Sequence, residues 1–99
     1  MMYPSNREQA IQTKIIEYLT VIGAYAVKVV KATKAGVPDV ICCMNGKFIA
    51  IEVKRSGKQP EPLQIYNAQR IEKAGGIAIC AHSVEELKTE LTKKGMLCQ

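Results

Sequence analysis

Three charged side chains interrupt two apolar runs that lie on either side of an Asn-Gly pair. The runs read VICCM and FIAIEV; Asp39 comes directly before the first, and Glu52 and Lys54 lie at the end of the second. An Asn-Gly pair between two such runs is typical of a β-hairpin with a type I′ turn. Carboxylates and an ammonium group on apolar strands need an explanation, because charged groups avoid the protein interior unless they are paired.

The geometry of this hairpin predicts that the two acids meet. A two-residue turn puts Met44 opposite Lys47, and counting outward from this pair brings Asp39 opposite Glu52. Opposite residues project to the same face of the sheet, with Cβ atoms about 4.5–5.5 Å apart. Lys54 is two residues beyond Glu52, so it is expected on that face as well.

Two facing carboxylates repel each other unless something offsets their charge. A divalent cation would do so, and the hard oxygen ligands suit Mg²⁺ or Mn²⁺. Lys54 would then lie beside the metal, near an anionic substrate. Two other interpretations remain open. Lys54 could neutralise both acids in a salt-bridge triad, or Asp39 could simply belong to a turn while Glu52 and Lys54 lie at a fraying strand end.

Two residues outside the hairpin could reach the same place. Glu8 extends the apolar stripe of Ile11 and Ile15 by one helical turn, so it is expected to point inward over the sheet. Gln64 begins a second stripe with Ala68, which would direct its amide towards the site. Each has a simpler interpretation: Glu8 as an acid stabilised by the helix dipole, and Gln64 as a polar residue at a helix start.

Basic residues flank the acids on both sides. Lys31 and Lys34 come before the first acid, and Arg55 and Lys58 follow the second. Such clusters attract phosphate backbones, although a run of charge is often only a solvated face. The formal net charge of +5 and the pI of about 9.1 also suit a nucleic-acid partner, but only as a weak indication.

The composition sets further limits. Ninety-nine residues are expected to form a single domain, residues 1–99, with an aliphatic core, because only 5% of residues are aromatic. Cys42, Cys43 and Cys80 are expected to act as small apolar core residues in a reducing, cytoplasmic compartment, since their spacing suits neither zinc nor a disulfide framework. No run approaches the ~20 apolar residues of a membrane span. The single histidine, His82, is interpreted as a polar residue at a strand end that could approach the site.

Apolar periodicity, caps and turn residues predict seven elements in the order α-β-β-β-α-β-α. Both hairpin strands are apolar on both faces, which predicts helices on both sides of a mixed four-stranded sheet. The connection through the second helix should make the last strand parallel to its neighbour. The predicted helices are 5–22, 62–74 and 84–94, and the predicted strands are 24–30, 38–44, 47–54 and 77–82.

The same residues resemble a known family. Pro38-Asp39 and Glu52-Val53-Lys54 resemble the motif of the PD-(D/E)XK nuclease superfamily. The phrase KAGVPDVI, the short spacing to IAIEVK and the following QPEPLQ resemble one branch, the virus-type replication-repair nuclease domain, VRR-NUC. The resemblance runs from Glu8 to the third helix and implies a restriction-endonuclease-like α/β core.

The resemblance also implies roles for individual residues. Asp39, Glu52 and the carbonyl group of Val53 would be the metal ligands. Glu8 would be the helix acid that binds a second ion or its water. Lys54 would be the catalytic lysine, and Gln64 the helix glutamine of the family. The implied metal is Mg²⁺ or Mn²⁺.

At the level of function, the resemblance implies a metal-dependent endonuclease of the stand-alone phage type, acting inside the host cell. Such members are expected to form homodimers and to cut branched DNA such as Holliday junctions. A two-fold dimer would also match the two-fold symmetry of a junction. The alternatives are a catalytically idle DNA-binding module and a nuclease that acts on flap or duplex DNA.

Overall fold

The computed structural model describes residues 5–98, with side chains from residue 7 onward. The elements follow the predicted order. They are α1 (Ser5–Val21), β1 (Tyr25–Lys28), β2 (Val40–Met44), β3 (Lys47–Val53), α2 (Pro62–Lys73), β4 (Ile77–Ala81) and α3 (Val84–Lys93). In the described part of the chain, no helix is long and apolar enough to cross a membrane.

The four strands form one mixed sheet in the order β1-β2-β3-β4. The β1–β2 and β2–β3 pairs are antiparallel, and the β3–β4 pair is parallel, as the crossover through α2 predicts. The predicted hairpin register is confirmed: Met44 pairs with Lys47, and Val40 pairs with Ile51. Asn45 and Gly46 have φ angles of 52° and 77°, as a type I′ turn requires.

One face of the sheet packs under α1 and α3, which also contact each other. Because side chains alternate along a strand, every second residue of the central strands points to this face. Ile49, Ile51 and Val53 of β3 are fully buried there, together with Ile15 and Leu91 from the helices. This aliphatic core holds the hairpin rigidly and fixes the face to which Glu52 projects.

Helix α2 lies on the second face, so helices flank both sides of the sheet as predicted, but α2 covers this face only in part. Helix α2 contacts β3 and β4, so Ala50 is fully buried. Away from α2, however, Tyr25 is 75% exposed and Phe48 is 46% exposed. Cys43 is exposed on the same side, so its predicted place in the core is wrong.

The observed helix ends confirm some of the start and cap residues that the sequence predicts and contradict others. Pro62 begins α2, as predicted, and Ser83 caps α3 by accepting a hydrogen bond from the Glu86 amide. Glu86 follows Ser83 by three residues, which in the sequence predicts a capping box. The Glu86 carboxylate, however, accepts from the His82 amide instead of the Ser83 amide, so this capping box does not close. The predicted cap of α1 at Ser5 or Asn6 lies outside the described side chains.

Candidate metal and nucleic-acid site

Asp39 is held between two neighbouring strands. Its carbonyl oxygen accepts a hydrogen bond from the Val29 amide at 2.8 Å, which continues the β1–β2 pairing by one step. Its side-chain Oδ2 accepts from the Val53 amide at 2.8 Å, across the hairpin. The half-buried carboxylate is therefore fixed in position, with Oδ1 left for another partner.

Glu52 lies opposite Asp39 on the α2 side of the sheet and is only 8% exposed. Among the described residues, its buried Oε1 has no hydrogen-bond partner. Burial and, after it, the nearby charge of Asp39 together raise the pKa of Glu52 to about 8. The buried site therefore favours the protonated form of Glu52 more strongly than water does.

Lys54 projects to the same face as Glu52. Its Nζ is 3.8 Å from Glu52 Oε2, and its side chain is 12% exposed. Its amide donates to the Ala81 carbonyl at 3.1 Å, which anchors the backbone beyond the end of β3. The ammonium group lowers the pKa of Glu52, but burial and Asp39 outweigh it. Among the described residues, Lys54 forms an ion pair with Glu52 but none with Asp39, so the salt-bridge triad is incomplete.

Glu8 reaches the far end of the hairpin from the first turn of α1. Its Oε2 accepts a hydrogen bond from the Arg55 amide at 3.2 Å. The side chain is therefore directed inward, in agreement with the apolar stripe, and it contributes a small rise to the pKa of Glu52. Its role as a metal-binding acid stays a prediction.

Gln64 caps the start of α2 and also lies beside the candidate site. Its Oε1 accepts from the Glu61 amide at 2.8 Å and closes a capping box at the start of α2. The same side chain also lines the cavity between α2 and the sheet, together with Pro38 and Glu52. The hydrogen bond identifies Gln64 as a helix-start residue, and its role in the site stays a prediction.

The four predicted DNA-binding residues lie in the segments that lead into and out of the site. Lys31, Lys34 and Lys58 are exposed, and Arg55 is half-buried. Within residues 7–98, none of the four forms an ion pair with a carboxylate. Their charges are therefore available to an anionic ligand, and contact with DNA stays a prediction.

Asn67 and Gly36 position the site, and the sequence analysis did not identify either. The buried Asn67 donates from Nδ2 to the Ala35 carbonyl at 3.2 Å and to the Leu63 carbonyl at 2.9 Å. Gly36 has a φ of +80°, and a Cβ there would lie 2.7 Å from Leu63 Cγ. The segment before Pro38-Asp39 can therefore approach α2 closely. In the sequence, Gly36 is visible only as part of the phrase KAGVPDVI, and Asn67 only as a polar residue four positions after Leu63.

His82 fastens the basic loop that follows Lys54. Its Nε2 is 2.7 Å from the Lys58 carbonyl oxygen, and its Nδ1 is 2.7 Å from Glu86 Oε1. Both partners are acceptors, so both contacts are satisfied together only when the imidazole carries two protons. The Lys58 carbonyl and then Glu86 accordingly raise the pKa of His82. His82 is thus a strand-end residue that holds the loop, without a described contact to the acids.

The chemistry of these residues fits a divalent cation. Asp39 Oδ1 and Glu52 Oε1 are hard carboxylate oxygens, and Glu52 Oε1 is a buried atom without a partner. Within the described residues, no three His, Cys, Asp or Glu side chains form a ready-made metal cluster. A cation here would therefore take the remaining ligands from backbone carbonyls and water, which is how proteins commonly bind Mg²⁺.

Comparison with known proteins agrees with this geometry. A curated protein named "Putative nuclease p44", from Acyrthosiphon pisum secondary endosymbiont phage 1, is 35% identical over 66 residues, covering 66% of this chain and 71% of its own length. A solved structure described as "VRR_NUC domain" superposes with a TM-score of 0.75, covering 88% of this chain and 95% of its own, at 22% identity. A second, "VRR_NUC domain protein", gives 0.70 at 18% identity, covering 88% and 86%. No family model matches the sequence.

The mixed sheet and the element order define a restriction-endonuclease-like α/β fold, which the solved VRR_NUC domains share. The chain belongs to the same family as the phage protein named "Putative nuclease p44", and its fold is that of the VRR_NUC domains.

Proposed function

We propose that this chain is a divalent-metal-dependent endonuclease that hydrolyses DNA phosphodiester bonds. The observation that carries the proposal is the buried Glu52 carboxylate, which faces Asp39 and has one oxygen without a partner. A buried acid pair of this kind is destabilising in an apoprotein, so a structural role alone does not explain it. The family supports the same conclusion, since a relative carries the name of a nuclease.

Asp39, Glu52 and the Val53 carbonyl would hold Mg²⁺ or Mn²⁺, and Glu8 would hold a second ion or its water. When bound, such a cation lowers the pKa of a coordinated water and stabilises negative charge on a phosphate. Asp39 is suited to this role because its hydrogen bond to the Val53 amide fixes the orientation of the carboxylate.

Lys54 would act on the phosphate or on the attacking water. In hydrolysis, the water oxygen forms a bond to phosphorus, one phosphorus–ester oxygen bond breaks, and the leaving oxygen gains a proton. Negative charge builds up on the phosphate oxygens during this step, and an ammonium group held nearby stabilises it. Two observations support this role: the Lys54 amide is anchored on Ala81, and its Nζ lies beside Glu52.

The finer parts of the proposal concern the substrate and the assembly. We infer a preference for branched DNA such as Holliday junctions, a homodimer whose two sites match the two-fold symmetry of a junction, and action in the cytoplasm of a phage-infected cell. The exposed residues Lys31, Lys34 and Lys58, with Arg55, would contact the DNA backbone on either side of the acids.

The proposal is tested with a panel of labelled DNAs: four-way junction, flap, splayed arm, single strand and duplex. Wild-type protein should cut at least the junction in Mg²⁺ or Mn²⁺ and should cut nothing in EDTA. Lys54→Ala should abolish cleavage while the protein still folds, and Lys14→Ala, on the exposed side of α1, serves as the matched control. Binding without any metal-dependent cleavage would instead identify an idle DNA-binding module, and cleavage by Lys54→Ala would refute the assigned role.

A further inference from the structure

Part of the sheet presents a surface of apolar and aromatic side chains to solvent. Tyr25 pairs with Cys43, and Cys43 pairs with Phe48, so these three side chains lie in a row on the face that α2 leaves uncovered. Tyr25 is 75% exposed and Phe48 is 46% exposed. The row borders a shallow hollow whose floor includes Ile41 and Val27. Contiguous exposed apolar surface of this kind generally marks a binding site.

This hollow continues towards the acid pair. Ile41 and Phe48 also line a second hollow, between the sheet and α2, which contains Lys34, Pro38 and Arg70. Pro38 in turn borders the cavity that holds Glu52. The two hollows therefore adjoin at the buried Pro38, and the exposed aromatic rings lie on the same face of the sheet as the proposed catalytic carboxylate.

The same surface extends along the outer side of α2. Tyr66, Arg70 and Lys73 line a third hollow, which adjoins the second through Arg70 and Ala74. We call the three hollows together the aromatic groove. Its members with π faces or positive charge are Tyr25, Phe48, Tyr66, Lys34, Arg70 and Lys73.

Charge and orientation distinguish this groove from an ordinary apolar patch. The second and third hollows are lined by three cations and by no described carboxylate. Arg70 is held in place, since its Nη1 donates to the Tyr66 hydroxyl at 3.0 Å and its guanidinium carbon lies 5.9 Å from the Tyr66 ring centroid. A fixed cation beside an exposed ring needs little reordering to bind a ligand.

We propose that the aromatic groove binds an unpaired strand of the DNA substrate next to the cleavage site. Bases would stack on Tyr25, Phe48 and Tyr66, while Lys34, Arg70 and Lys73 neutralise the phosphates. Exposed rings interspersed with cations are how proteins hold single strands without reading their sequence. The inference rests on the proposed nuclease function and adds the part of the substrate that the groove recognises.

A second copy of the chain is the other possible occupant, and the charges argue against it. A two-fold interface brings the same patch of each copy together, so the cations Lys34, Arg70 and Lys73 would face a patch that carries the same three cations. Like charges brought close together repel, whereas a phosphate backbone compensates the cations. The groove therefore suits a polyanion better than it suits itself.

The test measures binding in EDTA, where no metal-dependent cleavage occurs. A single-stranded oligonucleotide carrying 2-aminopurine reports stacking through the quenching of its fluorescence, and a blunt duplex serves as the comparison. Tyr25→Ala and Tyr66→Ala should each weaken single-strand binding about five- to a hundredfold and reduce the quenching. Tyr66→Phe keeps the ring and should retain the quenching, although it loses the hydroxyl that accepts from Arg70. Phe48 is avoided because its ring packs close to Gly76.

A charge variant tests the phosphate contacts separately. Arg70→Gln should lower the dependence of log affinity on log salt concentration by about 0.7, the value for one phosphate contact to a single strand. Lys14→Gln, on an exposed side of α1, removes the same charge outside the groove and should leave the slope unchanged. An unchanged slope in Arg70→Gln would contradict a phosphate contact at this residue.

Two results would overturn the inference. The first is unchanged single-strand affinity and quenching in both Tyr25→Ala and Tyr66→Ala. The second is a shift of Tyr25→Ala from dimer to monomer in light scattering while its strand affinity per protomer stays unchanged, which would make the groove an interface between copies. Both readouts are independent of cleavage, so they can fail or succeed whether or not the chain proves to be a nuclease.

Discussion

The pKa of Glu52 leads to a prediction about stability that needs no nuclease assay. The carboxylate is 8% exposed and faces Asp39, and its pKa rises from 4.5 to about 8 in the folded protein. The folded state therefore holds the proton more tightly than the unfolded state does. The contribution of Glu52 to the stability of the metal-free protein should be fully present below about pH 4.5 and should be lost progressively as the pH rises to about 8.

The magnitude follows from the size of the shift. One pKa unit corresponds to about 1.4 kcal/mol, so the ionised Glu52 should cost the metal-free fold on the order of 4 kcal/mol above its pKa. Glu52→Gln keeps the shape of the side chain and stays neutral at every pH. We expect this variant to match the wild type near pH 5 and to exceed its free energy of unfolding by roughly 3–5 kcal/mol near pH 9.

The assay is urea unfolding in EDTA at several pH values, for the wild type, Glu52→Gln and the control Glu17→Gln, whose carboxylate is exposed on α1. Added Mg²⁺ or Mn²⁺ should restore wild-type stability at high pH, by about 2.7 kcal/mol at a hundredfold excess over the dissociation constant. The same addition of metal should change the free energy of unfolding of Glu52→Gln much less, because this variant lacks one of the two carboxylates. The reasoning is refuted if Glu52→Gln is no more stable than the wild type at high pH.

Three further predictions concern the residues that hold the site in shape. Gly36→Ala should destabilise the fold by about 1–3 kcal/mol and reduce cleavage, because its Cβ would meet Leu63 and Asn67 at a φ of +80°; an unchanged urea midpoint would contradict this. Ser83→Ala should lower the free energy of unfolding by about 1 kcal/mol, because α3 loses its cap. Ser83→Asn can still cap the helix and should retain most of the wild-type stability, so equal losses in both variants would argue against capping. NMR titration of His82 should give a pKa above 6.5, because both ring nitrogens face acceptors; a midpoint at or below that value would mean that one contact is not made.

The strong local signals explain why so much of the fold could be predicted. The Asn45-Gly46 turn permits one hairpin register, and this register alone brings Asp39 opposite Glu52. The apolar stripe of α1 likewise predicts that Glu8 points inward, and the hydrogen bond from the Arg55 amide to the Glu8 carboxylate agrees with this direction. Alternation along a strand and periodicity along a helix determine the direction in which each side chain projects, because both follow from backbone geometry.

Other features depend on how elements meet in three dimensions, and the sequence does not show this. Cys43 and Phe48 belong to the two apolar runs of the hairpin, yet α2 does not extend over them, so they remain exposed. The buried Asn67 resembles any polar helix residue until the Ala35 carbonyl is placed beside it. Glu86 fits a capping box, but the neighbouring His82 competes for its carboxylate.

The central claim is that the acid pair is built to hold a cation, and crystals soaked in Mn²⁺ test it most directly. An anomalous peak should appear between the two acids, with oxygens of Asp39 and Glu52 as ligands at about 2.0–2.3 Å, and it should vanish in Asp39→Asn. Manganese bound only elsewhere, or an acid pair that stays metal-free at saturating Mn²⁺, would contradict the account.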